Sequence, residues 1–419
     1  MATVAFTGAN LVDGEHPAQP GTTVVISGKS ITTVAPDGAI EVHADRVIDL
    51  AGATLMPGLF SCHFHSTYHE LGSQRAPFGM EEPPALLAVR AVRNLETALR
   101  SGVTSVISAG ASFDIDASMK TAIAQGLIAG PRLTAGSRDV STTGHTNDLS
   151  RPWWWEIGAD GGLRLADSPD EFRKAVREEI KRGAQIIKMF ATGGHGTIGP
   201  KERTELSRAE FGAAIEAAHE RGALVRAHIA NRDAILMAVS LGIDVVDHAD
   251  GMDDECIERL LAAGTTVVPS QFFPYAFWQW MQERGHDLAP GASDRLKADM
   301  DEALPVIARA HEAGVRMVVG DDYGAVGLPH GRYAAELAFY VEQAGIAPLD
   351  VIRWATLNGA DMARAGDRLG TVTEGKLADL LVVDGDPLAD ITVLQQPERL
   401  LAVVKNGVFR TDALPAAAA

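Results

Sequence analysis

The sequence predicts an α/β fold: a (β/α)8 barrel carrying a small β-sandwich domain formed from both chain ends. Three observations predict it. Between residues 58 and 365, eight continuous apolar runs of strand length alternate with helix-patterned stretches, the texture of strands buried on both faces. Histidine, lysine and aspartate fall at the C-terminal ends of those runs, where a barrel of this type carries its chemistry. The two chain ends share a different texture, short strands broken by turn formers.

Residues 1–57 read as the strands VAFTGANLV, TTVVISGKSITTVA and DRVIDLAGATLMP, punctuated at Asp13-Gly14, Pro36-Asp37-Gly38 and Ala51-Gly52. Residues 366–419 look alike, with GTVTEGKLADLLVVDGDPL and LLAVVKNGVF, and Asn406-Gly407 is a hairpin turn. The expectation is that 1–57 and 366–419 pair into one small β domain with the barrel, 58–365, inserted between them. The barrel strands are 58–65 and then GVTSVISAG, PRLTAGS, AQIIKMFATGG, LVRAHIA, IDVVDHAD, TTVVPSQF and VRMVVGDD. Helices are predicted over 169–182, where Ser168 caps, Pro169 leads and Glu171 follows three on, and over 208–221, capped by Ser207 with Glu210.

Composition narrows the partners. Lys and Arg number 37 against 55 Asp and Glu, a net charge of −18 that repels phosphate backbones and anionic bilayers. Neither nucleic acid nor membrane is an expected partner; a small-molecule substrate is. No apolar run reaches the roughly 18 residues a spanning helix needs, and the start, MATVAFTGANLVDG, lacks the basic and apolar regions of a secretory signal. Cys62 and Cys256 are too few for a disulfide framework, which favours a reducing cytoplasm. Cys62 faces away from its neighbouring histidine on a strand and reads as a buried core residue.

The stretch LMPGLFSCHFHS ends a strand with His63 and His65. Residues i and i+2 of a strand project to one face about 7 Å apart, close enough to converge on one metal ion. That spacing alone also arises by chance. What raises the metal reading is the set of other strand ends: Lys188 in AQIIKMFATGG, His228 ending LVRAHIA, His248 in IDVVDHAD, and Asp321 and Asp322 ending VRMVVGDD. Histidines scattered through a core would have no reason to respect strand termini. An imidazole and oxygen ligand mix suits zinc, with cobalt or manganese as substitutes.

These motifs resemble those of the amidohydrolase superfamily over essentially the whole chain. MPGLFSCHFHS resembles the opening motif, VVGDDYG stands in place of the closing Gly-Thr-Asp motif, and ADLLVVDGDP is similar to the C-terminal β-domain signature. AQIIKMFATGG and TLNGADMAR look most like the prolidase and imidazolonepropionase-like branch. The resemblance implies two divalent metal ions, most simply zinc. His63, His65 and Asp322 would bind one and His228 and His248 the other, with Lys188 bridging as a carbamate formed with CO2. A carbamate needs a neutral amine, which desolvation favours; the other reading of Lys188 is a salt-bridged or snorkelling lysine. Aligning Gly320 with the motif glycine puts Asp322 at the catalytic position and Asp321 toward an outer layer or a neighbouring loop.

The implied activity is hydrolysis of an amide-type C–N bond by attack of a metal-bridging hydroxide, with Asp322 as base and then acid. His145, in STTGHTND, resembles a loop histidine that contacts substrate in this branch, and His195, in ATGGHGTIGP, lies just past Lys188. The pattern Gly194-x-Gly196-x-x-Gly199 matches a dinucleotide fingerprint but is not followed at once by a helix. Tyr68 and His69 follow the histidine pair and are placed to line the pocket, or to pack within a loop. Trp154, in the run Arg151-Pro152-Trp153-Trp154-Trp155, and the aromatics of QFFPYAFWQWMQ suggest a bulky apolar substrate portion or a subunit interface. Many dipeptidase-like members have a Tyr two residues after the fifth-strand histidine; here Ala230 stands there. That favours an aromatic amide or N-acyl amino acid over an Xaa-Pro dipeptide, with carbamate, urea, cyclic amide and ester substrates as alternatives. A catalytically silent scaffold would be expected to have lost ligands, and this chain keeps all six. Members of the family are often homo-oligomers.

Overall fold

The computed structural model describes residues 2–77, 79, 81–146, 148, 154, 161–195, 197, 199–285 and 291–414. It is a mixed α/β protein with parallel-strand sheets, and its contacts divide into two compact units. One comprises Met1–Ser61, Leu95–Ser105 and Gly331–Ala419, the other Cys62–Asn94 and Val106–His330.

The first unit holds an eight-stranded sheet in which the two chain ends meet. Its order runs Val408–Asp412, Leu400–Lys405, Leu380–Val383, Thr54–Pro57, Thr3–Leu11, Gln19–Ser27 and Ser30–Pro36, and Arg46–Asp49 pairs with Thr3–Leu11 off this path. The seam is antiparallel, with Leu381 opposite Met56 and Val382 opposite Leu55. One face buries Phe6, Leu11, Val24, Ile26, Leu55, Leu380, Val382 and Val404 together, and at the centre the other face is buried too, with Met56, Leu381 and Val383. Asn406 and Gly407 take φ of 50° and 70°, the double positive φ of the tight hairpin turn their sequence predicts.

The second unit is built on parallel strands. Leu163–Leu165, Gly136–Ser141, Ile186–Phe190, Leu224–Ile229, Val245–His248 and Thr266–Val268 form a six-stranded sheet in that order, every pair parallel. Leu59–Phe64, Val103–Ser108 and Arg132–Thr134 form a three-stranded sheet. Helices Pro169–Arg182 and Arg208–His219 follow their caps. Ser207 and Glu210 make a complete reciprocal box. Ser168 accepts from the Glu171 amide, but Glu171 reaches back to the Asp167 amide instead.

Two strand expectations change. PRLTAGS splits at Ala135, whose carbonyl accepts from the Gln185 amide. VRMVVGDD forms no strand: on one side Val267 donates to the Arg316 carbonyl and accepts from the Val318 amide, and on the other the Val319 carbonyl accepts from the Cys62 amide. Each side carries too few bonds for a ladder, because the run turns at Gly320, φ +146°. A Cβ there would lie 2.1 Å from the His63 nitrogen, so only glycine lets this segment approach the His63 strand. Among the described residues, no helix is long and apolar enough to cross a membrane.

Candidate active site

Parallel strands deliver their C-terminal ends to one edge, and the candidate residues gather there. His63 lies in the last turn of pleat of Leu59–Phe64, and His65 follows the strand directly. Their rings come closer than an ideal strand would set them, with centroids 5.2 Å apart and Nε2 atoms 3.3 Å apart. Asp322 Oδ1 sits 3.2 Å from both Nε2 atoms. Asp322 is therefore the member of the aspartate pair that reaches the histidines. Asp321 is fully buried and accepts from the amides of Asp322 and Phe273, the latter opening the next helix. A second close group, His195, Asp321 and Asp322, shares that carboxylate.

His228 and His248 complete the cluster, with ring centroids 4.4 Å apart, and His248 lies 5.3 Å from His63. His248 and Ala249 both adopt positive φ, 72° and 56°, strain of the kind that concentrates at functional sites. Burial pushes all four imidazoles down: His63 and His65 below the ordinary histidine range, His248 well below it and His228 to about 3. Neutral rings offer lone pairs to a cation, and His65 is set for it, since its Nδ1 lies 3.1 Å from the Gly110 carbonyl, leaving Nε2 to face Asp322. Burial alone would raise the Asp322 carboxyl, but His63 and His65 outweigh it and hold it well below the usual carboxylate range.

The residues fit a metal. His63, His65 and Asp322 each place a ligand atom within 4.8 Å of the others. His228 Nε2 and His248 Nδ1 are buried polar atoms with no hydrogen-bond partner among the described residues, which is costly unless something ligates them. Lys188 is buried in the middle of Ile186–Phe190, its Nζ 2.7 Å from Asp247 Oδ2 and 5.2 Å from the Phe190 ring centre. Lys188 thus pairs with Asp247.

Asp247 and Arg226 are functional neighbours that sequence reasoning missed. Both are fully buried. Arg226 donates to both Asp247 oxygens, to the carbonyls of Cys62 and Ser108, and faces His63 Nδ1 at 3.2 Å. One guanidinium thereby ties strand ends carrying three of the candidate ligands. Burial alone would raise the Asp247 carboxyl; Arg226, Lys188 and His63 hold it well below its ordinary range.

The remaining candidates divide. Tyr68 stacks on His65, centroids 3.9 Å apart and planes 6° off parallel, and burial raises its hydroxyl well above the usual value. His69 is exposed. His195 stacks on His248 at 3.8 Å, but its Nδ1 is 2.9 Å from Asp250 and its Nε2 3.0 Å from the Ser270 carbonyl. Burial would lower this imidazole; Asp250 prevails and raises it. Its polar atoms are thus engaged by the protein. His145 stands one layer back, edge-on to Phe190, which stacks on His228 at 4.7 Å. Trp154 is 65% exposed, and Trp153 and Trp155 lie outside the described residues. Cys62 is buried and forms no disulfide among the described residues. The QFFPYAFWQWMQ aromatics lie on a helix, Phe272–Arg284, where Phe273, Phe277 and Trp280 stack along one face.

Known proteins share this architecture. Ochratoxinase of Aspergillus niger is 29% identical over 97% of this chain and 86% of its own length. Its crystal structure superposes with a TM-score of 0.86 at 26% identity, covering 98% of this chain and 96% of that one. A Xaa-Pro dipeptidase with methionine in its active site gives a TM-score of 0.86 at 27% identity, covering 98% of this chain and all of that one. Imidazolonepropionase of Cutibacterium acnes is 24% identical over 85% of this chain and 82% of its own length. The sequence model of the amidohydrolase family matches residues 54–409, and with that span, most of the chain, this protein belongs to the amidohydrolase family.

Proposed function

We propose that this chain is a metal-dependent hydrolase of an amide-type C–N bond, acting on an aromatic amide or an N-acyl amino acid with a bulky apolar portion. The observation that carries the reading is Asp322 Oδ1, 3.2 Å from the Nε2 atoms of both His63 and His65 inside a cluster of buried neutral imidazoles. His63, His65 and Asp322 would hold one divalent ion and His228 and His248 the other, with Lys188, as its carbamate, serving both. Zinc suits their imidazole and oxygen donors. Bound there, such ions supply Lewis acidity toward a carbonyl and make water acidic at neutral pH.

The chain's own residues do the rest. Asp322 Oδ1, beside the two imidazoles, is placed to take a proton from water and pass it to the leaving nitrogen. The cluster's burial excludes bulk solvent and strengthens each of these charge interactions. A carbamate on Lys188 would require Nζ to leave Asp247 and CO2 to enter. The Phe273, Phe277 and Trp280 face supports an aromatic or apolar substrate group, since this helix starts on the Asp321 carboxylate beside Asp322.

A (β/α)8 barrel over 58–365, with a small β domain from 1–57 and 366–419, is our reading of the architecture. It is supported by the 315–320 segment, which bonds to Val267 on one side and Cys62 on the other. The similarity to ochratoxinase and to a Xaa-Pro dipeptidase supports amide cleavage.

A hydrolysis screen across aryl amides, N-acyl amino acids, Xaa-Pro dipeptides and carbamates tests the substrate. The expected result is a kcat/KM for an aryl amide or N-acyl aromatic amino acid at least roughly tenfold above that for any dipeptide, the scale one apolar contact provides. A dipeptide as the best substrate would overturn the assignment.

A further inference from the structure

We propose that Glu205 is a positioning residue for His145 in this hydrolysis, an inference that rests on the amide-hydrolase reading. Glu205 lies between Gly199 and the helix Arg208–His219, in a segment with no motif of its own. Its side chain is 4% exposed, and His145 Nε2 lies 2.9 Å from its Oε2.

Glu205 is itself held firmly. Oε2 accepts from the Thr146 amide at 2.9 Å, and Oε1 from the Arg203 guanidinium, whose Nε lies at 3.1 Å. Its own amide donates to the Ala191 carbonyl at 2.8 Å, immediately past the strand that carries Lys188. The Thr142 hydroxyl donates to its carbonyl at 3.4 Å. One residue thus joins the 142–146 loop to the end of the Lys188 strand, with its backbone on the strand and its carboxylate on the loop.

His145 connects that loop to the ligand cluster through Phe190. Its ring meets Phe190 edge-on at 5.7 Å, and Phe190 lies flat against His228. A displacement of His145 would be felt through this contact. Burial alone would raise the Glu205 carboxyl, but the Thr146 amide, Arg203 and His145 outweigh it and keep it below the ordinary value. An ionised carboxylate here gives the imidazole a fixed counter-charge and a fixed place, the arrangement by which carboxylates orient functional histidines elsewhere. Nothing in this geometry brings Glu205 to a substrate, so its effect is indirect.

The test is a double-mutant cycle on the metal-loaded enzyme with an aryl amide. Glu205→Gln keeps an acceptor for the Thr146 amide and removes the charge. It is expected to lower kcat/KM by about 10–100-fold, the range seen when an orienting partner is lost, with unfolding midpoint and metal content unchanged and partial recovery in Glu205→Asp. His145→Asn combined with Glu205→Gln is expected to be no worse than His145→Asn alone, because the two act as one unit. Additive losses, or wild-type kcat/KM in Glu205→Gln, would overturn the proposal. A second readout needs no substrate. The ring 1H–15N signals of His145, assigned by their loss in His145→Asn, are expected to shift in Glu205→Gln, and unmoved signals would likewise overturn it. If the wild type cleaves no amide while those signals shift, the hydrolase reading fails and the Glu205–His145 pairing stands.

Discussion

Lys188→Ala is expected to lose metal and with it activity, by at least roughly 10³-fold in kcat, since on the proposed reading the carbamate of this lysine would be a ligand shared by the two ions. The argument is spatial. Lys188 reaches from the middle of Ile186–Phe190 into a space bounded by Asp247 and the Phe190 ring, on the strand next to the one that ends in His228. Removing it leaves His228 and His248 as a two-imidazole site, too few donors to retain an ion against dilution. Short-chain carboxylates added to the variant should restore part of the metal content and part of the rate, because they supply the missing oxygen. A variant that binds metal and turns over as the wild type does would exclude any ligand role for this lysine.

Asp247→Ala is expected to destabilise the fold by about 3–5 kcal/mol, the usual cost of stranding a buried charge. Here it strands two. Arg226 would lose both of its carboxylate bonds and Lys188 its only ion pair among the described residues, all at positions with no solvent access. The unfolding midpoint should fall by roughly 3–6 °C for a chain of this size. Arg226→Met combined with Asp247→Leu should recover part of that loss, since it replaces both members of one buried pair with apolar groups but leaves Lys188 without its partner carboxylate. The double variant should still bind metal more weakly, because His63 loses the neighbours of its Nδ1. An unchanged midpoint in the single variant would contradict the reading of this network as structural.

The candidate residues stand out in the sequence because they close or interrupt apolar runs. In the structure His63, His65 and Asp322 draw close, with His228 and His248 beside them, while Lys188 lies mid-strand against Asp247. Arg226 and Asp247 were missed although a signal was there. LVRAHI and VVDH each carry one charge inside an otherwise apolar run, and a charge in a strand buried on both faces must be paired. Adjacent runs of opposite sign should have been read together. Glu205 gave no such signal, because its partner lies 60 residues away in a loop, a distance along the chain that no periodicity spans. The Phe272–Arg284 helix escaped for another reason: it is aromatic almost all round, so no amphipathic period marks it. VRMVVGDD reads as a strand by composition, and only the glycine's approach to the His63 backbone shows why its ladder stops.

The central claim is that the imidazole and carboxylate cluster exists to hold metal. Elemental analysis of the protein purified from zinc-supplemented cells tests it most directly, alongside amide hydrolysis before and after chelation. The account predicts about two divalent ions per chain, activity lost on chelation and regained with zinc. Full activity in protein that carries no divalent ion, whichever metal is supplied during growth, would contradict it.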